Sequence, residues 1–131
     1  MSITAVIVDD EAPARKRLRD LLAKESDMEV VCECPDGPSA VDAILEHEPD
    51  VLFLDVQMPE MDGFEVLRLV GLDRVPVVVF VTAYDRHALE AFDARALDYL
   101  LKPFTGKRFG ETLDRVRNSL SAGHDRDRLR R

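Results

Sequence analysis

Three stretches of this sequence are apolar almost without interruption: Ile3 to Val8, Val51 to Leu54 and Val77 to Val81. A strand that is apolar at consecutive positions has no face to give to water, so it belongs inside a sheet covered on both sides. The run Val51 to Leu54 ends abruptly on a lone carboxylate, Asp55, before a loop holding Pro59 and Gly63. In open α/β sheets, ligands bind just beyond the carboxyl ends of the strands, which makes an acid delivered there a candidate for chemistry. Taken alone, an Asp after a strand is more often a turn former or a helix cap.

Between these runs the spacing is helical. Pro13 suits a first helical turn, and Leu18, Leu21 and Leu22 recur among Arg15, Lys16, Arg17, Arg19 and Asp20. Glu29 to Cys34 alternates polar and apolar residues, as a half-exposed strand does. Asp36-Gly37-Pro38 then turns the chain into a helix with Val41, Ile44 and Leu45, closed by Pro49. Phe64, Val66, Leu67 and Val70 mark a third helix, stopped by Gly71 and Pro76. Asp85 caps a short fourth helix through Ala88, Leu89 and Phe92, whose thin apolar stripe points to a loosely held element. Tyr99 to Leu101 is a short last strand ending on Lys102-Pro103, and Phe109, Leu113, Val116 and Leu120 define a fifth helix.

Strands alternating with helices in this way predict a five-stranded parallel sheet with helices on both faces and right-handed crossovers. If the strand order is 2-1-3-4-5, a common one for doubly wound sheets, the fold is flavodoxin-like (βα)5. The 131 residues, 46% of them hydrophobic, suit one domain over 1–120. Residues 121–131 have lost the apolar period and carry Arg126, Arg128, Arg130 and Arg131, a basic tail, a frayed helix end or the start of a linker. A net charge of -8 argues against this segment holding DNA through its phosphates. With no secretory leader and no apolar run of membrane length, the expected location is the cytoplasm. Cys32 and Cys34 sit one residue apart, a spacing for packed, reduced thiols, and His47, His87 and His124 are expected at the surface.

The strand ends share one edge of such a sheet. They are Asp9 and Asp10 after the first strand, Asp55 after the third, Thr82 closing the fourth and Lys102 after the fifth. In the order 2-1-3-4-5, strands one and three are neighbours, so Asp9, Asp10 and Asp55 converge and either hold raised pKa values or recruit a cation. Mg²⁺, with Mn²⁺ as a substitute, prefers hard oxygen ligands and is commonly completed by phosphate. Asp55 is then a nucleophile toward phosphorus, Lys102 a point charge for phosphoryl oxygens and Thr82 a hydroxyl donor to them. Each residue also has an ordinary reading: acidic helix start, strand-end hydroxyl, solvated lysine. Their joint placement at the ends of four strands argues against coincidence.

Val8-Asp9-Asp10, Leu54-Asp55-Val56-Gln57-Met58-Pro59 with Asp62-Gly63, Thr82-Ala83 and Lys102-Pro103 together resemble the receiver domains of two-component response regulators, over about Ile3 to Leu120. The resemblance implies that Asp55 accepts phosphate from the phosphohistidine of a sensor histidine kinase or from a small phosphodonor. It also implies that Asp10, Asp55 and the backbone carbonyl of Gln57 bind Mg²⁺, with Asp9 acting through water. Thr82 would be drawn inward by the phosphate and Tyr99 would turn into the space vacated. The face of the fourth helix, fifth strand and fifth helix would then change partners, a homodimer among them. The Lys102-Pro103 bond is cis in this family, and Gln57 and Tyr84 occupy positions that tune phosphate lifetime. Such a domain is a signalling acceptor, not an enzyme beyond self-catalysed transfer and slow autodephosphorylation.

Thr82-Ala83-Tyr84-Asp85 and Ala96-Leu97-Asp98-Tyr99-Leu100-Leu101-Lys102-Pro103-Phe104 look most like LytTR-type regulators. These control transcription through a β-rich DNA-binding domain after the receiver, of which nothing is present here. Two other readings are a stand-alone receiver that acts by protein–protein interaction and an aspartyl-phosphate phosphatase of the haloacid dehalogenase type. The latter needs a second Asp two residues after the nucleophile, where this sequence has Gln57.

Overall fold

The computed structural model describes residues 2–71, 74–83 and 95–129, with side chains of the last helix given through residue 122. The strands are β1 (Ile3–Val8), β2 (Met28–Cys34), β3 (Val51–Leu54), β4 (Val77–Thr82) and β5 (Asp98–Leu101). They form one parallel sheet in the order β2-β1-β3-β4-β5. The described helices are α1 (Ala12–Ala23), α2 (Gly37–His47), α3 (Gly63–Val70) and α4 (Gly106–Leu129). Here α4 is the helix predicted as the fifth. The helix predicted from Asp85 through Ala88, Leu89 and Phe92 lies outside the described residues.

Alternate residues of each strand feed two separate cores, one on each face of the sheet. Val6, Val8, Leu52, Leu54, Val78 and Phe80 pack with Ile44 of α2 and with Phe64, Val66 and Leu67 of α3. Ala5, Ile7, Val51, Phe53, Val79 and Val81 pack with Leu18 and Leu22 of α1 and Phe109, Leu113 and Val116 of α4. Every residue of β3 and β4 is buried, as their unbroken apolar runs require. Burying Phe53 or Phe80 contributes roughly 2 to 3 kcal/mol each relative to leaving it in water.

Local sequence sets the helix ends. Pro13 sits in the first turn of α1. Asp36 caps α2 by accepting from the Ser39 N–H at 2.8 Å. Asp62 and Glu65 form a reciprocal capping box on α3, and Gly71, at φ 82°, ends that helix. The predicted alternation of Glu29 to Cys34 is broken by a bulge. Ala5 pairs with Val30 and Val6 with Cys32, so Val31 has no partner in β1.

Cys32 and Cys34 are both free, their sulfurs 3.9 Å apart, and burial together with Cys32 pushes the Cys34 thiol up to about 12. His47 is exposed, while His87 and the His124 side chain lie outside the described residues. Helix α4 runs to Leu129, past the last apolar repeat at Leu120. No described helix is long and apolar enough to cross a membrane.

Candidate functional site

Backbone register brings the strand ends together. Val8 pairs with Leu54, and the Asp55 N–H donates to the Val8 carbonyl at 3.0 Å, extending the ladder by one residue. The Asp9 N–H donates to the Cys34 carbonyl at 3.0 Å, and the Lys102 N–H to the Thr82 carbonyl at 2.7 Å. Asp9, Asp55 and Lys102 therefore leave the sheet from positions fixed by hydrogen bonds to the neighbouring strand.

A carboxylate oxygen from each of Asp9, Asp10, Glu11 and Asp55 lies within 4.8 Å of the others. Asp9 and Asp55 are buried, whereas Asp10 and Glu11 are exposed. The Lys102 ammonium donates to Asp9 Oδ2 at 2.7 Å and, more weakly, to Asp55 Oδ2 at 3.4 Å. Asp9 Oδ1 accepts from the Glu11 N–H at 2.9 Å, and Asp55 Oδ1 from the Gln57 N–H at 3.2 Å. A cleft of about 520 Å³ opens here, lined among others by Asp10, Glu11, Asp55, Gln57, Ala83 and Lys102.

Burial raises the Asp55 carboxyl to about 6; Lys102 opposes the rise and neighbouring Asp9 adds to it. Lys102 is itself shifted upward: burial works against its charge, but the hydrogen bond to Asp9 and the charges of Asp55 and Asp9 outweigh it. The Thr82 hydroxyl is buried with no hydrogen-bond partner among the described residues. A buried hydroxyl left unmatched costs free energy, which a ligand oxygen within reach would recover.

Tyr99 pairs with Phe80 across β4 and β5, its ring 6.4 Å from that of Phe80. The Lys102–Pro103 peptide bond is cis. Tyr84 lies outside the described residues. Gly63 opens α3 directly over Asp55: a Cβ there would stand 2.6 Å from the Asp55 carbonyl oxygen.

The site thus gathers Asp10, Asp55, Gln57 and Lys102 on one cleft, with buried Asp9 bonded to Lys102 and Thr82 at the same sheet edge. Glu11 joins the acidic group without having been singled out, although the run Asp9-Asp10-Glu11 carried the signal. Arg15 was also missed; its Nη1 donates to the Asp9 carbonyl at 2.6 Å. Chemically, the arrangement concentrates negative charge that attracts a hard cation, and sets a buried carboxylate beside an ammonium group.

Comparison with known proteins agrees with this geometry. The family model described as the response regulator receiver domain matches residues 5–114. An uncharacterized response regulatory protein of Shewanella oneidensis is 44% identical over 119 residues, 91% of this chain and 50% of that protein. The transcriptional regulatory protein BtsR of Salmonella typhi is 45% identical over 119 residues, again 91% of this chain and 50% of that protein. The chain therefore spans about half the length of these curated relatives. Among solved structures, the REC domain of AraT, a response regulator from Geobacillus stearothermophilus, superposes with a TM-score of 0.86. It is 36% identical, with 95% of this chain and 99% of that one covered. With these likenesses and a family match over most of its length, the chain belongs to the receiver domains of two-component response regulators.

Proposed function

We propose that Asp55 is the phospho-acceptor of this receiver, charged by a sensor histidine kinase in the presence of Mg²⁺. The observation that carries the reading is the setting of Asp55: a buried carboxylate on the cleft, within an acidic quartet and beside the Lys102 ammonium. The quartet suits Mg²⁺, because its donors are all hard oxygens drawn within 4.8 Å of one another. Asp10, Asp55 and the Gln57 carbonyl would hold the ion directly, with Asp9 acting through water; Mn²⁺ would serve in the same place. When bound, the ion neutralises charge on the phosphoryl oxygens.

At pH 7 a carboxyl titrating near 6 is ionised roughly ten to one, so Asp55 is available as a nucleophile. Its oxygen bonds to phosphorus as the bond from phosphorus to the kinase's histidine nitrogen breaks, the electron pair leaving with the imidazole. Lys102 donates to the phosphoryl oxygens, and the Thr82 hydroxyl gains in them the acceptor it lacks. Movement of Thr82 and Tyr99 then changes the face that includes β5 and α4, which fits a homodimer interface. The product is a signal, with only slow self-hydrolysis as turnover.

Residues 1–120 form the receiver and 121–131 lead toward a LytTR-type output domain, through which DNA would be bound. The half-length match to a protein named a transcriptional regulator supports a transcriptional output, while the LytTR type rests on the sequence resemblance. The cytoplasm, where kinase and DNA are both accessible, is the matching location. Mg²⁺ with beryllofluoride, a phosphoryl mimic, at about hundredfold excess over its Kd should raise the wild-type Tm by about 10 °C. Asp55→Asn should respond little, and equal shifts in both proteins overturn the assignment.

A further inference from the structure

The cations on α1 give this acidic chain a basic helix, yet Arg15, Lys16, Arg17 and Arg19 are all engaged within the molecule. Lys16 pairs with Asp20 at 2.6 Å and Arg19 with Glu33 at 2.8 Å, both on the surface. Arg15 and Arg17 instead reach backbone carbonyls just past the ends of β1 and β5. Arg15 holds the Asp9 carbonyl. Arg17 Nη2 donates to the Phe104 carbonyl at 2.8 Å, while its guanidinium carbon stands 5.1 Å from the centre of the Phe104 ring.

Phe104 follows Lys102 by two residues, across Pro103, which has no N–H to tie down. The Phe104 ring stacks on Phe109 at 5.7 Å, and Phe109 lies 5.7 Å from Phe53, two residues before Asp55. The segment from 102 to 104 is therefore fixed at one end by the Lys102 N–H on Thr82 and at the other by Arg17 and Phe109. Between them the flexible Lys102 stem must place its ammonium on Asp9 and Asp55. An arginine is suited to the outer hold, because its planar fork can donate at the edge while its face covers a ring.

We propose that Arg17 is a positioning residue for the phosphoryl-binding lysine: it holds Phe104 by carbonyl and ring, and so sets where Lys102 meets the acceptor. The inference rests on Asp55 being the phospho-acceptor. It separates the two halves of the site, since Arg17 touches the Lys102 segment and none of the acidic quartet. A contact serving only to pack α1 would change stability and leave ligand selectivity alone.

The test uses the full chain with two probes, Mg²⁺ alone and beryllofluoride at saturating Mg²⁺, each titrated calorimetrically alongside a Tm measurement. Arg17→Met, which keeps apolar cover over the ring, should weaken beryllofluoride binding about tenfold and leave Mg²⁺ affinity within about twofold of wild type. Arg17→Lys, which retains charge but loses the fork, should recover part of the loss. Unchanged beryllofluoride affinity in Arg17→Met overturns the proposal, as does an equal fall for both probes. A wild type that ignores beryllofluoride removes the Asp55 assignment and this inference with it.

Discussion

Asp55 and Asp98 are the same side chain, 4% and 8% exposed, one just past the end of β3 and the other opening β5 of the same sheet, and their surroundings treat them in opposite ways. Burial pushes both carboxyls upward. At Asp98 that push is overcome by bonds from Arg108 at 2.8 and 3.0 Å, Thr112 at 2.7 Å and the Tyr99 N–H at 2.8 Å, so its pKa falls to about 2. Arg115 adds a further ion pair at 3.2 Å. Asp55 has the Gln57 N–H at 3.2 Å and Lys102 at 3.4 Å, and stays near 6. A carboxylate supplied with all its donors is architecture. One left short of them is ready for a ligand.

The comparison breaks first at Asp98. Replacement by alanine removes the 2.7 Å acceptor of the buried Thr112 hydroxyl, leaving it the longer 3.4 Å contact to the Arg108 carbonyl, and unpairs Arg108, so Asp98→Ala should lose about 2 kcal/mol in urea unfolding at pH 7. A loss below about 1 kcal/mol would show that the network is not structural. Because the folded pKa of Asp98 lies below the unfolded value of about 3.9, its contribution is full above that pH and lost toward about 2.

Asp55 carries the opposite sign. Its folded pKa lies above about 3.9, so its ionisation opposes folding: the penalty is absent below about pH 4, grows toward 6 and is constant above. Asp55→Asn should therefore be about 1 to 2 kcal/mol more stable than wild type at pH 7, with the gap closing toward pH 4. A destabilised Asp55→Asn at pH 7 would place Asp55 among the structural acids. The smallest effect belongs to Asp62, a carboxylate on the same cleft that caps α3. Asp62→Ala should cost about 1 kcal/mol by urea unfolding, and no change would remove the capping box from the account.

What the sequence made legible follows from period and run length. The buried runs located β1, β3 and β4, and alternation with helices made the sheet parallel, so Asp9, Asp10, Asp55, Thr82 and Lys102 could be placed on one edge; the strand order itself came from the common doubly wound arrangement and the family resemblance. Pairings between distant side chains have no period. Asp98 in Leu97-Asp98-Tyr99 gives no sign that Arg108, ten residues on, will close over it. Likewise, the helical stripe of α1 showed its Leu face, while the hold of Arg15 on Asp9 and of Arg17 on Phe104 depends on tertiary contact. The bulge at Val31 shifts the β2 register without altering its composition. The end of α4 stayed open between helix and linker for a related reason, since backbone helix continues after the apolar period has run out.

Gly63 shows what this architecture asks of inheritance. It opens a helix, where alanine would be favoured by roughly 1 kcal/mol. Its N–H bonds to the Val56 carbonyl at 2.9 Å, and a methyl group in place of its hydrogen would stand 2.6 Å from the Asp55 carbonyl oxygen and 3.1 Å from Leu54 Cγ. Its φ is not in the left-handed region, so clearance and not backbone freedom is what excludes a larger residue. Drift at this codon would therefore register as displacement of the acid next door, while the helix that contains it would gain. A tight limit on variation beside Asp55 thus falls on a residue with no side chain at all.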